Sequence, residues 1–191
     1  FIERITLALL LVGLCVAIAI FAAVLRSDQL VVYVVGNWQP PLGIALRADG
    51  ISAAMVLTIA VIVFAIGLYA RSEFGQQKGA AVTRSSYAFW TLLLGIWSGL
   101  NAVALGDDLF NLYVALELLT FAAVPLVCVK GYEATIKAAM RYMLFALIGS
   151  VLYLLGTALI YGTYGTLDIT LLADRVRPEP AAWTAAALMT V

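Results

Sequence analysis

One carboxylate, that of Glu117, lies in the middle of an apolar run over residues 109–129. Such a run has about the length of the roughly 20 residues with which an α-helix crosses a bilayer core of about 30 Å. A charge at that depth costs on the order of 3 to more than 10 kcal/mol, so it usually faces a bundle interior or a water-filled path. The sequence therefore predicts that Glu117 is a proton or ion site. The alternative is a structural glutamate that is hydrogen-bonded to a neighbouring helix.

Helical spacing places hydroxyl groups on the same face as this carboxylate. Tyr113 and Thr120 lie one turn before and one turn after Glu117, since positions three and four apart share a helix face. Both are predicted to support a proton path. Pro125 follows on the same run, where it would free the carbonyl of Phe121 and bend the helix. The spacing leaves open whether Pro125 is a hinge or affects only packing.

Charged residues flank the run at both ends. Asp107 and Asp108 precede it, and they could draw cations to an outer mouth or form a solvated turn with a helix cap. After it, Glu133, Lys137 and Arg141 form an i, i+4, i+8 stripe. The stripe is typical of a solvated, ion-paired face whose long cations reach the headgroups. The alternative places Lys137 or Arg141 inside the bundle, as part of an inner proton path.

A later apolar run carries small and hydroxyl residues at helical spacing. Gly149 and Gly156 lie two turns apart, with Ser150 and Thr157 beside them. Small residues at this spacing allow close helix contact, and hydroxyls can bond across it or line a chain of water molecules. Packing is the favoured interpretation, and a water chain is the alternative.

These residues require a frame of membrane-spanning helices. The chain is 64% hydrophobic and 12% charged, with a mean hydropathy of +1.05, whereas a soluble domain carries about twice that charge. Long apolar stretches occupy residues 5–25, 51–70, 87–105, 109–129 and 138–161, and another begins near Ala181. The prediction is an all-α integral membrane protein. It is a multi-pass bundle of five complete helices plus the start of a sixth, in a single membrane domain over residues 1–191.

Residues 29–49 interrupt the helical pattern between the first two spans. A β-branched run and a short second run flank Pro40 and Pro41, which cannot continue a helix. The prediction is a β-hairpin or an extended loop near residues 30–48, at the membrane surface. Asp49 is placed to cap the helix that follows.

Composition narrows the chemistry and the partners. The chain has no histidine, and its two cysteines lie inside apolar runs without metal-ligand spacing. We therefore predict no metal site, no cofactor and no catalytic centre on this chain, and its zero net charge gives no reason to expect a nucleic-acid partner. Lysine and arginine are in excess at the amino end and after the second and fourth spans, which predicts that the amino end is cytoplasmic.

Three stretches of the chain together resemble the D subunit of Mrp-type sodium/proton antiporters. They read, in order, NWQPPLGIALRADGIS, GDDLFNLYVALELL and LIYGTYGTLDITLLA. That family is similar to the antiporter-like membrane subunits of respiratory complex I and of membrane-bound hydrogenases. The resemblance implies a larger subunit of about fourteen helices with inverted repeats, the first beginning near residue 87, so that this chain is a fragment truncated at both ends. It carries the family's essential glutamate over to Glu117 and implies a partner lysine beyond Val191.

The resemblance also implies a function. It predicts a proton-translocating or monovalent cation/proton antiporter subunit, with other membrane subunits as partners, in the bacterial inner membrane. Protons and Na⁺ or K⁺ would be the transported ions. Two alternatives stay open, namely a proton-pumping subunit of an NADH:quinone oxidoreductase or membrane-bound hydrogenase, and a structural anchor module without transport.

Overall fold

Long α-helices make up most of the computed structural model of the chain. The structure describes residues 2–27, 30–38, 43–74 and 83–190. Within these residues, five helices are long and apolar enough to cross a membrane. They are α1 (Ile2–Ser27), α2 (Gly50–Phe74), α3 (Arg84–Leu105), α4 (Leu109–Val127) and α5 (Glu133–Tyr164). The predicted all-α membrane bundle is thereby confirmed.

A small β-hairpin connects α1 and α2. Its strands are β1 (Val31–Val34) and β2 (Ala45–Ala48), which pair in antiparallel orientation. A short 3-10 turn, Val35–Asn37, follows β1. The hairpin predicted near residues 30–48 is therefore confirmed, while Pro40 and Pro41 lie outside the described residues.

The start of α2 is capped as the sequence predicts. The backbone N–H of Ser52 donates a hydrogen bond to Oδ1 of Asp49 at 2.7 Å. This bond lowers the pKa of Asp49, because it stabilises the charged carboxylate. The first turn of the helix thus has an acceptor for one of its free N–H groups.

Two further helices follow α5. They are α6 (Ile169–Arg175) and α7 (Pro180–Met189). α7 matches the predicted start of a sixth apolar helix, and Pro180 lies at its first position, where proline fits best. α6 was not predicted, since its seven residues are too few to span a membrane.

A core around Trp90 packs α1, α2 and α3 together. Trp90 is fully buried, and Leu10 of α1 and Val63 of α2 belong to the same cluster. The indole N–H of Trp90 donates to the carbonyl of Phe74 at 3.1 Å, and the hydroxyl of Ser86 donates to the same carbonyl at 2.6 Å. A carbonyl at a helix end has no partner within its own helix, so these two bonds fix the end of α2 against α3.

Small residues hold α4, the helix of Glu117, close to α3. A Cβ at Gly99 would lie 3.2 Å from the backbone nitrogen of Leu119, and one at Gly95 would lie 3.1 Å from the Cβ of Ala122. Glycines of this kind let membrane helices approach closely. At 100° per residue, Glu117 points away from the face that carries Leu119 and Ala122. The contact with α3 therefore turns Glu117 towards α5.

Polar contacts between elements collect at two ends of the bundle. At one end, Nη1 of Arg47 in the hairpin lies 3.5 Å from Oδ1 of Asp107, just ahead of α4. At the other end, Nζ of Lys130 lies 2.6 Å from Oε1 of Glu73, at the end of α2. The hydrogen bond to Glu73 raises the pKa of Lys130. When a chain crosses a membrane repeatedly, every second connection between helices lies on the same side. The two groups of polar contacts fit this arrangement, because each joins such connections.

Candidate functional site

A cavity of about 270 Å³ lies between α4, α5 and the end of α7, and Glu117 is part of its wall. Its polar lining residues are Tyr113, Glu117 and Thr120 of α4 and Ser150 and Tyr153 of α5. The structure thus brings together the carboxylate and the two hydroxyl residues that helical spacing placed on one face. A space of this size has room for several water molecules.

The antiparallel register of α4 and α5 decides which residues of α5 lie at the level of the carboxylate. The rings of Tyr113 and Tyr153 stack with 6.2 Å between their centroids and 15° between their planes. Glu117 lies one turn further along α4, and Gly149 lies one turn back along α5. Both residues line the cavity. Gly149, which has no side chain, therefore lies at about the level of Glu117 on the neighbouring helix.

Gly149 and Gly156 have different surroundings. A Cβ built at Gly156 would lie 2.6 Å from Cγ of Met189 and 2.8 Å from the carbonyl oxygen of Ala185. Gly156 thus serves the predicted close packing, in this case against α7. No heavy atom of the described residues lies within 4 Å of a Cβ built at Gly149. Gly149 therefore has no close packing partner among the described residues, where it borders the cavity that Glu117 also lines, and its predicted role in packing stays a prediction.

The hydroxyl groups of the lining are held in different ways. Oγ1 of Thr120 donates to a carbonyl one turn earlier in its own helix at 3.1 Å. The hydroxyl of Tyr153 donates to the carbonyl of Leu109 at 3.3 Å. Oγ of Ser150 is buried and has no hydrogen-bond partner within the described residues. In the part of the chain that the structure describes, no group of three or more His, Cys, Asp or Glu residues could hold a metal ion.

Three other predicted residues do not line this cavity as the structure describes it, namely Pro125, Lys137 and Arg141. Pro125 is exposed in the last turn of α4. Nζ of Lys137 lies 2.7 Å from Oε1 of Glu133, and both side chains are exposed. Arg141 is also exposed. The stripe of Glu133, Lys137 and Arg141 thus matches the predicted ion-paired surface. A role of Lys137 or Arg141 in an inner proton path stays a prediction, and so does a hinge at Pro125.

Asp108 is the cap of α4. Its carboxylate accepts hydrogen bonds from the N–H groups of Phe110 at 2.8 Å and of Asn111 at 3.0 Å. Its backbone also pairs with that of Asp168 in an isolated β-bridge. The start of α4 is thereby joined to the segment that leads into α6. The sequence predicted a helix cap as one role of the pair Asp107 and Asp108, and Asp108 has this role.

Asp107 does not lie in a solvated turn, because the hairpin and α6 cover it. The residue is buried, with Arg47 at 3.5 Å and the hydroxyl of Thr170 donating to Oδ2 at 3.4 Å. Nη1 of Arg47 also donates to Oγ1 of Thr170. Burial raises the pKa of Asp107, Arg47 lowers it, and the nearby Asp168 raises it, with a net rise. The hairpin, α4 and α6 thus meet in one charged cluster.

Removal of Arg47 should loosen this cluster. We expect Arg47→Ala to lower the free energy of unfolding by about 1–3 kcal/mol, because it leaves a buried carboxylate without its cation. Protonation removes that uncompensated charge, so the loss should shrink as the pH falls through the pKa of Asp107 and grow as the pH rises above it. Thermal unfolding of the intact protein in detergent, at several pH values, measures both effects.

A second arginine provides the control for this prediction. Arg175→Ala removes a cation that makes one long bond, 3.4 Å, to the carbonyl of Tyr164 at an exposed position. It should change the unfolding temperature little at any pH. Equal losses in the two variants would mean that the pair between Arg47 and Asp107 contributes nothing specific.

Comparison with known proteins identifies the class of this fold. The chain matches a chain in the structure of the Mrp complex from Dietzia sp. DQ12-45-1b, with a TM-score of 0.82 and 27% identity. The match covers 98% of this chain and 34% of that chain. Residues 106–191, which include α4 and α5, match the family described as "NADH:quinone oxidoreductase/Mrp antiporter, TM". The chain thus has the fold of an antiporter-like membrane subunit.

Two curated relatives carry the comparison further. The D subunit of the Na(+)/H(+) antiporter of Bacillus subtilis (strain 168) is 30% identical over 141 residues, which is 74% of this chain and 27% of that relative. The N subunit of the NADH-quinone oxidoreductase of Desulforudis audaxviator (strain MP104C) is 32% identical over 162 residues, which is 85% of this chain and 31% of that relative. The chain therefore spans roughly a quarter to a third of their length. The predicted resemblance to the antiporter subunits is confirmed.

Proposed function

We propose that this chain forms the proton-binding part of a monovalent cation/proton antiporter subunit. One observation carries the proposal: Glu117 lies within a candidate membrane span and opens onto a cavity between two packed helices. A carboxyl group in such a place can exchange a proton through water without facing lipid. The similarity to a protein named as the D subunit of a Na(+)/H(+) antiporter supports the exchange of that proton for a cation.

The proposed mechanism is an electrostatic switch at Glu117. In a cavity of low polarity a carboxyl group favours its protonated form, and a cation within about 4–6 Å favours the charged form. A cation that approaches the cavity would therefore release the proton, and its departure would load the next one. Tyr113 and Thr120 are proposed to support the path, because both line the same space.

The proposed path has an outer end near Asp107 and Asp108 and an inner end near Lys130. This orientation places the start of α1 on the cytoplasmic side of a bacterial inner membrane. It is supported by the excess of lysine and arginine in the segments at the end that holds Lys130. The match to a chain of the Mrp complex supports the proposal that other membrane subunits are partners.

A second candidate function has an observation in its favour. The N subunit of an NADH-quinone oxidoreductase is 32% identical to this chain, which is close to the 30% of the antiporter relative. The same carboxylate could then serve a proton pump whose cofactors are held by other chains. In that case proton movement would follow electron transfer and would not need an added cation.

Inverted membrane vesicles that contain the intact protein and its partner subunits test these functions. A respiratory substrate first acidifies the vesicles, and the pH gradient is followed with a fluorescent amine before and after addition of Na⁺ or K⁺. The proposal predicts that one of these cations dissipates the gradient, and that vesicles without the protein show no such response. An unchanged gradient with the assembled complex present contradicts an antiporter, and copurified flavin or iron–sulfur subunits support the redox-driven pump.

A further inference from the structure

Two tyrosines form the limit of the Glu117 cavity towards the start of α4. The residues of α4 that line the cavity fall within 113–121, and those of α5 fall within 143–153. Because the two helices are antiparallel, Tyr113 and Tyr153 are the lining residues of α4 and α5 nearest to the proposed outer end of the path. Within the described residues, the lining therefore ends on both helices at this pair of rings.

The two rings meet between the helices and are tied to the first turn of α4. Their stacking, with 6.2 Å between the centroids, lies within the range of direct ring contact. Phe110, about one turn further out on α4, extends the contact, with 6.0 Å between its ring centroid and that of Tyr113. The hydroxyl of Tyr153 donates to the carbonyl of Leu109 at 3.3 Å. This bond is longer than the typical O–H···O distance of about 2.7–2.8 Å, so the tie is weak.

Apolar side chains continue this closure towards the outer end. A cluster whose buried members are Ile160, Leu172 and Ala185 packs against Leu109, so that α5, α6 and α7 meet the first turn of α4. The buried carboxylate of Asp107 lies only two residues before Leu109. An aromatic and aliphatic layer thus lies between the charged cluster and the cavity. Such a layer is a barrier to ions and water, because hydrophobic constrictions exclude both.

We propose that Tyr113 and Tyr153 form a gate between the outer end and the Glu117 cavity. The bond from Tyr153 to Leu109 is the latch of this gate, and the inference rests on the proposed function. An exchanger loses its gradient if its proton site is open to both sides at once, so one side must close while the other is open. Separation of the two rings lets water enter the cavity from the outer end, and a proton reaches Glu117 through that water. Both tyrosines keep their own protons and control access only.

A proton leak in the absence of Na⁺ and K⁺ tests the gate in the intact protein, assembled with its partners in vesicles. The decay of an imposed pH gradient is followed with a fluorescent amine, and the decay in vesicles without the protein is subtracted. Tyr153→Ala should raise the leak by about tenfold or more, because it loses the ring contact and the hydrogen bond together. Tyr153→Phe loses only the latch and should raise the leak about two- to tenfold, the scale of one hydrogen bond. Tyr161→Ala is the matched control and should leak like the wild type, because Tyr161 is an exposed tyrosine of the same helix outside the described lining.

A double variant separates a gate from two independent packing contacts. Removal of either ring opens the same gate, so Tyr113→Ala combined with Tyr153→Ala should leak no more than either single variant. Leaks that multiply in the double variant overturn the inference, and so does a wild-type leak in Tyr153→Ala. A wild-type leak in Tyr153→Phe overturns the latch without any loss of packing. These results leave the antiporter proposal standing, whereas wild-type transport in an assembled Glu117→Gln complex overturns the proposed function itself.

Discussion

Replacement of Glu117 by glutamine should lower cation-driven proton movement by about a hundredfold or more, while the complex still assembles in the membrane. Glutamine has nearly the same shape as glutamate but cannot take up and release a proton. A positioned group that transfers a proton contributes about 10²–10⁴-fold to a rate. The pH gradient of inverted vesicles, followed on addition of Na⁺ or K⁺, measures the effect, and the amount of assembled complex is measured in the same membranes.

Two further variants make this result specific. Glu117→Asp keeps the carboxylate but withdraws it by one methylene, so its rate should lie between those of the wild type and of Glu117→Gln. Glu133→Gln removes a carboxylate whose side chain is 83% exposed and pairs only with Lys137 among the described residues, so it should leave transport nearly unchanged. Wild-type transport in an assembled Glu117→Gln complex would instead support the structural glutamate.

The membrane helices were predictable because their apolar stretches are long. Each of the five predicted stretches lies largely within a helix that the structure describes. Their ends were less predictable, as α5 shows. Its apolar stretch begins at Ala138, but the helix begins at Glu133, because charged residues such as Lys137 continue a helix into the headgroup region. Hydropathy marks the part of a helix in the membrane and not the whole helix.

The charged cluster at the hairpin could not be predicted from the sequence. Arg47, Asp107 and Thr170 lie in three segments that are far apart along the chain, and no periodicity connects them. The short helix α6 was missed for a related reason, since seven residues give no periodic signal. A local sign of this helix was Asp168, a capping residue ahead of an apolar run. Asp168 does cap α6, because its Oδ1 accepts a hydrogen bond from the N–H of Leu171 at 2.8 Å.

The candidate site could also be predicted only in part, namely for residues on the same helix as Glu117. Helical spacing alone was enough to place Tyr113 and Thr120 beside Glu117, since all three belong to one helix. Gly149 belongs to α5, and only the register between the two helices places it at about the level of Glu117. The sequence offered the same explanation, packing, for Gly149 and Gly156. The described neighbours of each glycine separate them, because Met189 packs on Gly156 and no described heavy atom lies within 4 Å of a Cβ at Gly149.

The space at Gly149 leads to the second large effect. Gly149→Leu should fill much of the cavity that Glu117 lines and displace water from it, so we expect cation-driven proton movement to fall at least tenfold. Gly149→Ala adds one methyl group that meets no heavy atom of the described residues within 4 Å, so it should lower the rate less. The vesicle assay with the graded series of alanine, valine and leucine measures the dependence on side-chain size.

A second glycine of α5 separates loss of space from general damage to the helix. Among the described residues, Gly162 also has no heavy atom within 4 Å of a built Cβ, but it is not part of the cavity lining described there, so Gly162→Leu should transport like the wild type. Both glycines lie within a helix, where glycine is less favourable than alanine by about 0.5–1 kcal/mol. Gly149→Ala should therefore raise the unfolding temperature even as it lowers the transport rate. A lower unfolding temperature, or an equal loss of transport in Gly162→Leu, would contradict a role for Gly149 as open space. Opposite changes in stability and transport would show that the space at Gly149 serves transport at the expense of stability.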